Sequence, residues 1–237
     1  MDVQVEYLHH SGFAVKLQNH CLVFDYDGSG ILPRADWLTA GESAVFVSHR
    51  HGDHYSRQIF DWKQSAPQIQ YILSDDIPSV PGTVSVGPDR TIQVGDLVIH
   101  TFRSTDEGVA FLVECEGKFI YHAGDLNWWH WNGESEAYNR AMKQAYLREI
   151  QKLIPYRIDL AFVPVDPRLE DAAYLGLLAL LDAVNISHVI PMHFWEDTAP
   201  FDTEKQRRYL PKEKTALPDS SGFHAMTHPG EQLLLTL

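Results

Sequence analysis

Apolar and polar residues alternate at Val3, Val5 and Tyr7, the period-2 pattern of a half-buried strand. Residues 13–17 and 21–24 repeat the apolar signal on either side of polar Gln18-Asn19-His20, which predicts two strands joined by a tight hairpin. Further strands are predicted at 44–47, 69–73, 109–114, 119–122, 158–165 and 188–193, with a hairpin of 91–94 and 97–102 around Gly95-Asp96. Residues 75–90 hold several Pro and Gly and read as loop or short edge structure. Helices are expected at 55–65, at 134–153 and, as an amphipathic segment, at 170–184. In the last of these Leu175, Leu177, Leu178 and Leu181 contribute to a largely buried face. The apolar run Leu233-Leu234-Leu235 closes the chain as a strand after the turn at Pro229-Gly230. Strands interleaved with helices indicate an α/β fold. No repeat, low-complexity tract or linker divides the 237 residues, so one domain over 1–237 is expected.

Composition narrows the function classes. A formal net charge of −13, from 32 acidic and 19 basic side chains, argues against a broad nucleic-acid footprint. The basic cluster Lys205, Arg207, Arg208, Lys212 and Lys214 reads as a solvated helix face and loop. The two cysteines, Cys21 and Cys115, sit in strand-like segments and form no Cys-x-x-Cys pair, which suggests buried thiols in a reducing compartment. With no signal-peptide core and no apolar run near the ~20 residues of a membrane span, a cytoplasmic protein is expected. Gly28-x-Gly30 is not a dinucleotide fingerprint, because the third glycine position is Pro33. The motifs of serine hydrolases and of zincins are missing.

The chemistry concentrates in Ser48-His49-Arg50-His51-Gly52-Asp53-His54, between an apolar strand and a helix. Three imidazoles and a carboxylate fall within six residues, the donor types that bind metals and move protons. His49 and His51 can point the same way on an extended loop. Asp53 and His54 are consecutive and point apart. Two neighbouring sites are therefore expected, His49 with His51 in the first and Asp53 with His54 in the second.

His-x-His-x-Asp-His after an apolar strand resembles the metallo-β-lactamase superfamily. The later motifs extend that resemblance over most of the chain. It implies a four-layer αββα sandwich, two mixed sheets face to face with helices outside. It also implies that Asp125, in the strand-ending Gly124-Asp125, bridges two ions, and that strand-end His193 is the last ligand of the second. His10 and Asp25 would orient ligands without binding metal, although His10 can equally be a turn residue bonded to backbone. The superfamily's third histidine for the first ion has no counterpart in its usual loop. Asp106 lies there and is preferred over His100, on the preceding strand. The expected set is thus His49, His51 and Asp106 on one ion, Asp53, His54 and His193 on the other, and Asp125 between. His122 is expected to support the site or pack. Trp128, in Trp128-Trp129-His130-Trp131, and Arg168, after the 158–165 strand, are candidate pocket residues; the tryptophans can equally cover core or an interface.

The implied activity is hydrolysis by a metal-bound hydroxide at a dinuclear site, with Asp53 orienting the nucleophile and taking its proton. Zinc is the first expectation. The carboxylate-rich donor set brings in manganese or iron. Pro191-Met192-His193 followed by an aromatic resembles the ascorbate-6-phosphate lactonase-like branch, which favours a small-molecule lactone or phosphate ester. Alternatives are a nuclease resembling ribonuclease Z, two-iron redox chemistry resembling the flavodiiron proteins, and a binding module without activity. Nucleic acid and membrane partners are not expected; an oligomer is compatible with the sequence.

Overall fold

In this computed structural model, which describes residues 1–214 and 222–237, β-strands dominate. They are β1 Asp2–His9, β2 Gly12–Lys16, β3 His20–Phe24, β4 Glu42–Val47, β5 Gln70–Ser74, β6 Val84–Val86, β7 Thr91–Val94, β8 Leu97–Arg103, β9 Val109–Cys115, β10 Lys118–His122, β11 Arg157–Pro164, β12 Asn185–Met192 and β13 Gln232–Thr236. Seven form one sheet in the order β13-β1-β2-β3-β4-β5-β6, and six form another in the order β12-β11-β10-β9-β8-β7. Both are mixed: β3 to β6 run parallel, as do β10 to β12, beside antiparallel hairpins.

Side-chain alternation explains the layering. Leu22, Phe24, Ala44, Phe46 and Ile72 of the first sheet enter the core shared with the second. Their neighbours Cys21, Val23, Val45, Val47, Tyr71 and Leu73 enter a separate core on the outer face. Trp37 and Leu38 of a short helix α1, Ala35–Thr39, cover that outer core, together with Ile59 and Trp62 of a 3₁₀ helix, Arg57–Gln64. A strand buried on both faces reads as a continuous apolar run, and 44–47 and 21–24 do so. Helices α2, Glu136–Gln151, and α3, Leu175–Ala183, pack together, and α3 packs on β11 of the second sheet. The αββα sandwich expected from the resemblance is therefore present. Between the sheets Phe24 stacks on Phe46 at 4.9 Å and on His122 at 5.0 Å. Truncating so enclosed a ring to alanine costs about 3–5 kcal/mol.

Two of the three expected helices differ. The 55–65 segment is a 3₁₀ helix, capped by Ser56. The 170–184 segment starts as helix only at Leu175, because Glu170 takes a left-handed φ of 53° inside a preceding 3₁₀ segment, Pro167–Ala172. Nor is α3 clearly two-faced: Gly176, Leu177, Leu178 and Leu180 are buried and Leu175 and Leu181 half-buried. Helix α1 has no counterpart in the sequence reading, being one turn long. The basic side chains of Lys205, Arg207, Arg208, Lys212 and Lys214 are exposed. Among the described residues no helix is long and apolar enough to cross a membrane.

Candidate metal centre

Parallel strands of both sheets deliver their carboxyl ends to one edge of the sandwich, where α/β folds commonly place their sites. Asp25 follows β3, residues 48–54 follow β4, Asp125 follows β10, Asp166 follows β11 and His193 follows β12. His10 joins them from the irregular β1–β2 turn, where the register shifts between Tyr7 and His9. Three of these residues hold left-handed backbone without being glycine: His10 at φ 50°, Asp25 at 43° and His193 at 64°. Such conformations cost free energy and gather where the fold imposes a side-chain direction.

Two groups of donor atoms result, each with its atoms within 4.8 Å of one another: His49, His51 and Asp125, and His10, Asp53, His54 and His193. Asp125 lies between them. Its Oδ2 is 3.4 Å from His49 Nε2, and its Oδ1 is 3.2 Å from His54 Nε2 and 3.3 Å from His193 Nε2. Consecutive Asp53 and His54, expected to point apart, come within 4.0 Å because His54 N–H closes a turn onto the His51 carbonyl.

Buried carboxylates fix the imidazoles. Asp25 accepts from Ser48 N–H at 2.7 Å, Ser48 Oγ–H at 2.6 Å and His54 Nδ1–H at 2.8 Å. Asp166 accepts from His193 Nδ1–H at 3.1 Å. A carboxylate only accepts, so Nδ1 carries the proton in both rings and Nε2 is left with a lone pair facing the group. Gly108, at φ 70°, lets the β8–β9 loop lie against the histidine loop: a Cβ there would stand 1.9 Å from the Ser48 carbonyl oxygen. Gly124 likewise abuts Ser48, rather than the metal-facing atoms.

Burial sets the charge states of the group. Burial drives His49 down to about 3 and His10 to about 2, with neighbouring histidines adding, and it drives His54 well below its ordinary value. Ligation needs these neutral rings. Burial pushes the Asp125 carboxyl up to about 7; His193 opposes the rise and Asp106, Asp25 and Asp53 add to it. Burial also lowers His193, but Asp125 and Asp166 outweigh it and the net shift is upward. Asp166 is held at about 2: burial raises it, but bonds from His193 and Arg168 win. His10 Nε2, His54 Nε2 and Asp125 Oδ1 are fully buried and lack any hydrogen-bond partner. Native proteins rarely leave so many polar atoms unsatisfied in one place. Divalent cations fit this donor set: those three atoms converge with no donor to meet them, and beside them His49 Nε2 and His51 Nδ1 lie 3.1 Å apart, sharing one hydrogen bond.

The remaining candidate residues occupy several different environments. Asp106 lines the cavity above the centre, but it is exposed and stands outside both groups, because its loop is turned by Asp106 N–H bonding to Ser104 Oγ. The alternative His100 bonds to Thr91 Oγ1 and packs on Tyr156, and is in neither group. His10, expected either to orient ligands or to serve as a turn residue, lies in the β1–β2 turn and stands among the candidate ligands. Trp128 does not line the cavity: its ring lies under Lys143, at 4.8 Å, in a neighbouring groove. Its neighbours Trp129 and Trp131 line the cavity, as do Arg168 and Trp195. His122 donates or accepts no bond to a candidate ligand; it meets the Ser11 carbonyl at 2.9 Å and stacks on Phe24. Asp166 was not singled out from sequence, although its place at the end of an apolar strand, like that of Asp25, is the available signal.

No family model matches the chain. A UPF0173 metal-dependent hydrolase of Alkaliphilus metalliredigens is 26% identical over 140 residues, 52% of this chain and 63% of that protein. The chain thus matches less than two thirds of that relative's length. Among solved structures, Igni18, a metallo hydrolase of Ignicoccus hospitalis, superposes with a TM-score of 0.63 at 17% identity over 100% of both chains. The metallo-β-lactamase fold protein YhfI of Bacillus subtilis gives 0.60 at 12% identity, covering 98% of this chain and 99% of its own. Together with the two face-to-face sheets and the histidine-bearing edge, these likenesses establish that the chain has the metallo-β-lactamase fold.

Proposed function

We propose that this chain is a metal-dependent hydrolase of a small molecule, holding two divalent cations at the edge of its sandwich where the strand ends of both sheets meet. The observation that carries the reading is the convergence of three buried, unpartnered atoms, His10 Nε2, His54 Nε2 and Asp125 Oδ1, on one space. His49, His51 and Asp125 would hold one ion, and His10, Asp53, His54 and His193 the other, with Asp125 shared. The Alkaliphilus relative, a metal-dependent hydrolase, supports the same class.

When bound, such ions supply an acidified water and polarise a carbonyl or phosphoryl oxygen. The chain's own residues do the rest. Asp25 and Asp166 keep His54 and His193 in one tautomer and one orientation. The Asp53 side chain is 30% exposed and faces the cavity, so its carboxylate can orient a water and accept its proton. Trp129, Trp131 and Trp195 wall the cavity and limit solvent around the reacting groups. A cavity of about 230 Å³ is smaller than the roughly 300–1,000 Å³ typical of drug-sized ligands. That size, with the net charge of −13, favours a small molecule over nucleic acid.

An ester-type substrate, a lactone or a phosphate ester, is favoured by the resemblance of the Pro191-Met192-His193 strand end to lactonase-like relatives. Zinc fits the histidine-rich donors, and manganese or iron fits Asp53 and Asp125. The test is a panel of lactones, aryl esters and phosphodiesters with protein loaded in turn with zinc, manganese and iron. The reading expects turnover that chelation abolishes and that Asp53→Asn lowers by about 100-fold or more. Metal-loaded protein inert toward the whole panel would count against it.

A further inference from the structure

The cavity has a feature that hydrolysis alone does not require. Its polar lining is acidic, with Asp53, Asp106 and Asp125, and among the described residues Arg168 is the one lysine or arginine that lines it. The Arg168 side chain is 48% exposed, yet it is not free to swing. Its Nε donates to both Asp166 oxygens, at 2.9 and 3.0 Å, and its Nη2 donates to the same carboxylate. Asp166 also orients His193, so one buried carboxylate fixes the guanidinium relative to a candidate metal ligand. Aromatic rings flank the group: its Cζ lies 4.7 Å from the Trp195 ring centre and 5.7 Å from that of Trp131.

A guanidinium presents five N–H donors in a planar fork. Asp166 takes the Nε edge, and among the described residues Nη1 donates no hydrogen bond. An arginine that served only to neutralise Asp166 would not need to line the cavity or to sit between two tryptophans at its mouth. Trp195 has φ 50° and is 44% exposed, an arrangement that a large apolar ring adopts only where the surrounding structure holds it there.

We propose that Arg168 is a specificity residue: the cavity takes substrates bearing an anionic group, a carboxylate or phosphoryl oxygen pair, which the free edge of the guanidinium grips. A flat or apolar body of the same molecule lies against Trp131 and Trp195. Arginine suits such planar, two-point recognition in a way lysine does not. The word substrate rests on the hydrolase reading; the binding event does not.

The test therefore measures binding without turnover. Metal-loaded full-length protein is titrated with benzoate, phenylphosphonate and neutral benzamide, followed by tryptophan fluorescence. At least one of the anions is expected to bind about 10- to 100-fold tighter than benzamide, the range for a charge-assisted pair. Whichever of the two binds tighter identifies the anionic group. Arg168→Gln should erase that preference with metal content unchanged, and Arg168→Lys, which keeps a cation beside Asp166, should retain only part of it. Three results would overturn the proposal: no preference in the native protein, a preference that survives Arg168→Gln and so belongs to the metals, or loss of metal together with preference in both variants. An intact anion preference in a protein that hydrolyses no ester would sink the hydrolase reading and leave this one standing.

Discussion

Replacing Asp25 with asparagine exchanges one carboxylate oxygen for an NH2 group at the hub of the site, and its effect follows from hydrogen-bond directions. Asp25 receives three donors, Ser48 N–H, Ser48 Oγ–H and His54 Nδ1–H. Asparagine keeps one acceptor, which Ser48 N–H can retain, and it tolerates the left-handed φ of 43° as aspartate does. Its amide now donates toward His54 Nδ1, which must give up its proton to accept. The proton moves to Nε2, the atom that faces Asp125 at 3.2 Å, and blocks the lone pair that ligation would use. Loss of such an orienting partner typically weakens metal binding 10- to 100-fold, about 1.4–2.7 kcal/mol. Asp25→Ala should do something different. It strands buried donors at about 1–3 kcal/mol each and should lower stability first. Competition against a chromophoric chelator gives the affinity, and urea unfolding of the metal-free variants gives the stability. Asp25→Asn protein that is folded and holds metal as tightly as the native chain would refute the orienting role.

Other consequences are as direct. Asp106→Ala and His100→Ala should both leave metal content unchanged by elemental analysis, since neither side chain joins a donor group; a drop in either would restore it as a ligand. Gly108→Ala should destabilise by about 2–5 kcal/mol in urea unfolding, combining the left-handed backbone with a Cβ driven into the histidine loop; a cost under about 1 kcal/mol would mean the loops are not in contact. At the opposite end of the sandwich His20 bonds to Glu116 at 2.7 Å and to Asp96 at 2.9 Å. Burial lowers its pKa, but those two carboxylates more than compensate and raise it above the ordinary 6.5. Stabilisation from a raised histidine is complete below the unfolded value and is lost as pH rises through the folded one. His20→Gln should therefore cost about 1–2 kcal/mol at pH 5.5 and less at pH 9; equal costs at both would exclude a charged His20.

The strands were legible because two-sided burial writes long apolar runs, as at 21–24 and 44–47, and one-sided burial writes alternation, as at Val3, Val5 and Tyr7. The histidine loop was legible because its donors are neighbours in sequence. What escaped depends on distance. His10 reaches the centre only because β1 and β2 meet at an irregular, left-handed turn beside His193, whose N–H bonds to the His10 carbonyl. Asp106 lies in the expected loop but outside both donor groups, and the Ser104 bond that turns that loop is not a sequence pattern. Asp166 is joined to His193 only through the parallel pairing of β11 with β12. For the tryptophans, composition marked the segment, yet only backbone direction decides that Trp129 and Trp131 face the cavity and Trp128 does not. The 3₁₀ character at 57–64 and the left-handed Glu170 likewise reflect packing rather than propensity.

The central claim is a two-ion centre in which His51 belongs to one group and His10 to the other. Elemental analysis of the native protein, of His51→Ala and of His10→Ala, each purified without added metal and confirmed folded by circular dichroism, tests it most directly. The account predicts about two ions per chain in the native protein and about one in each variant. No metal in the native protein, or two ions retained in His10→Ala, would contradict it.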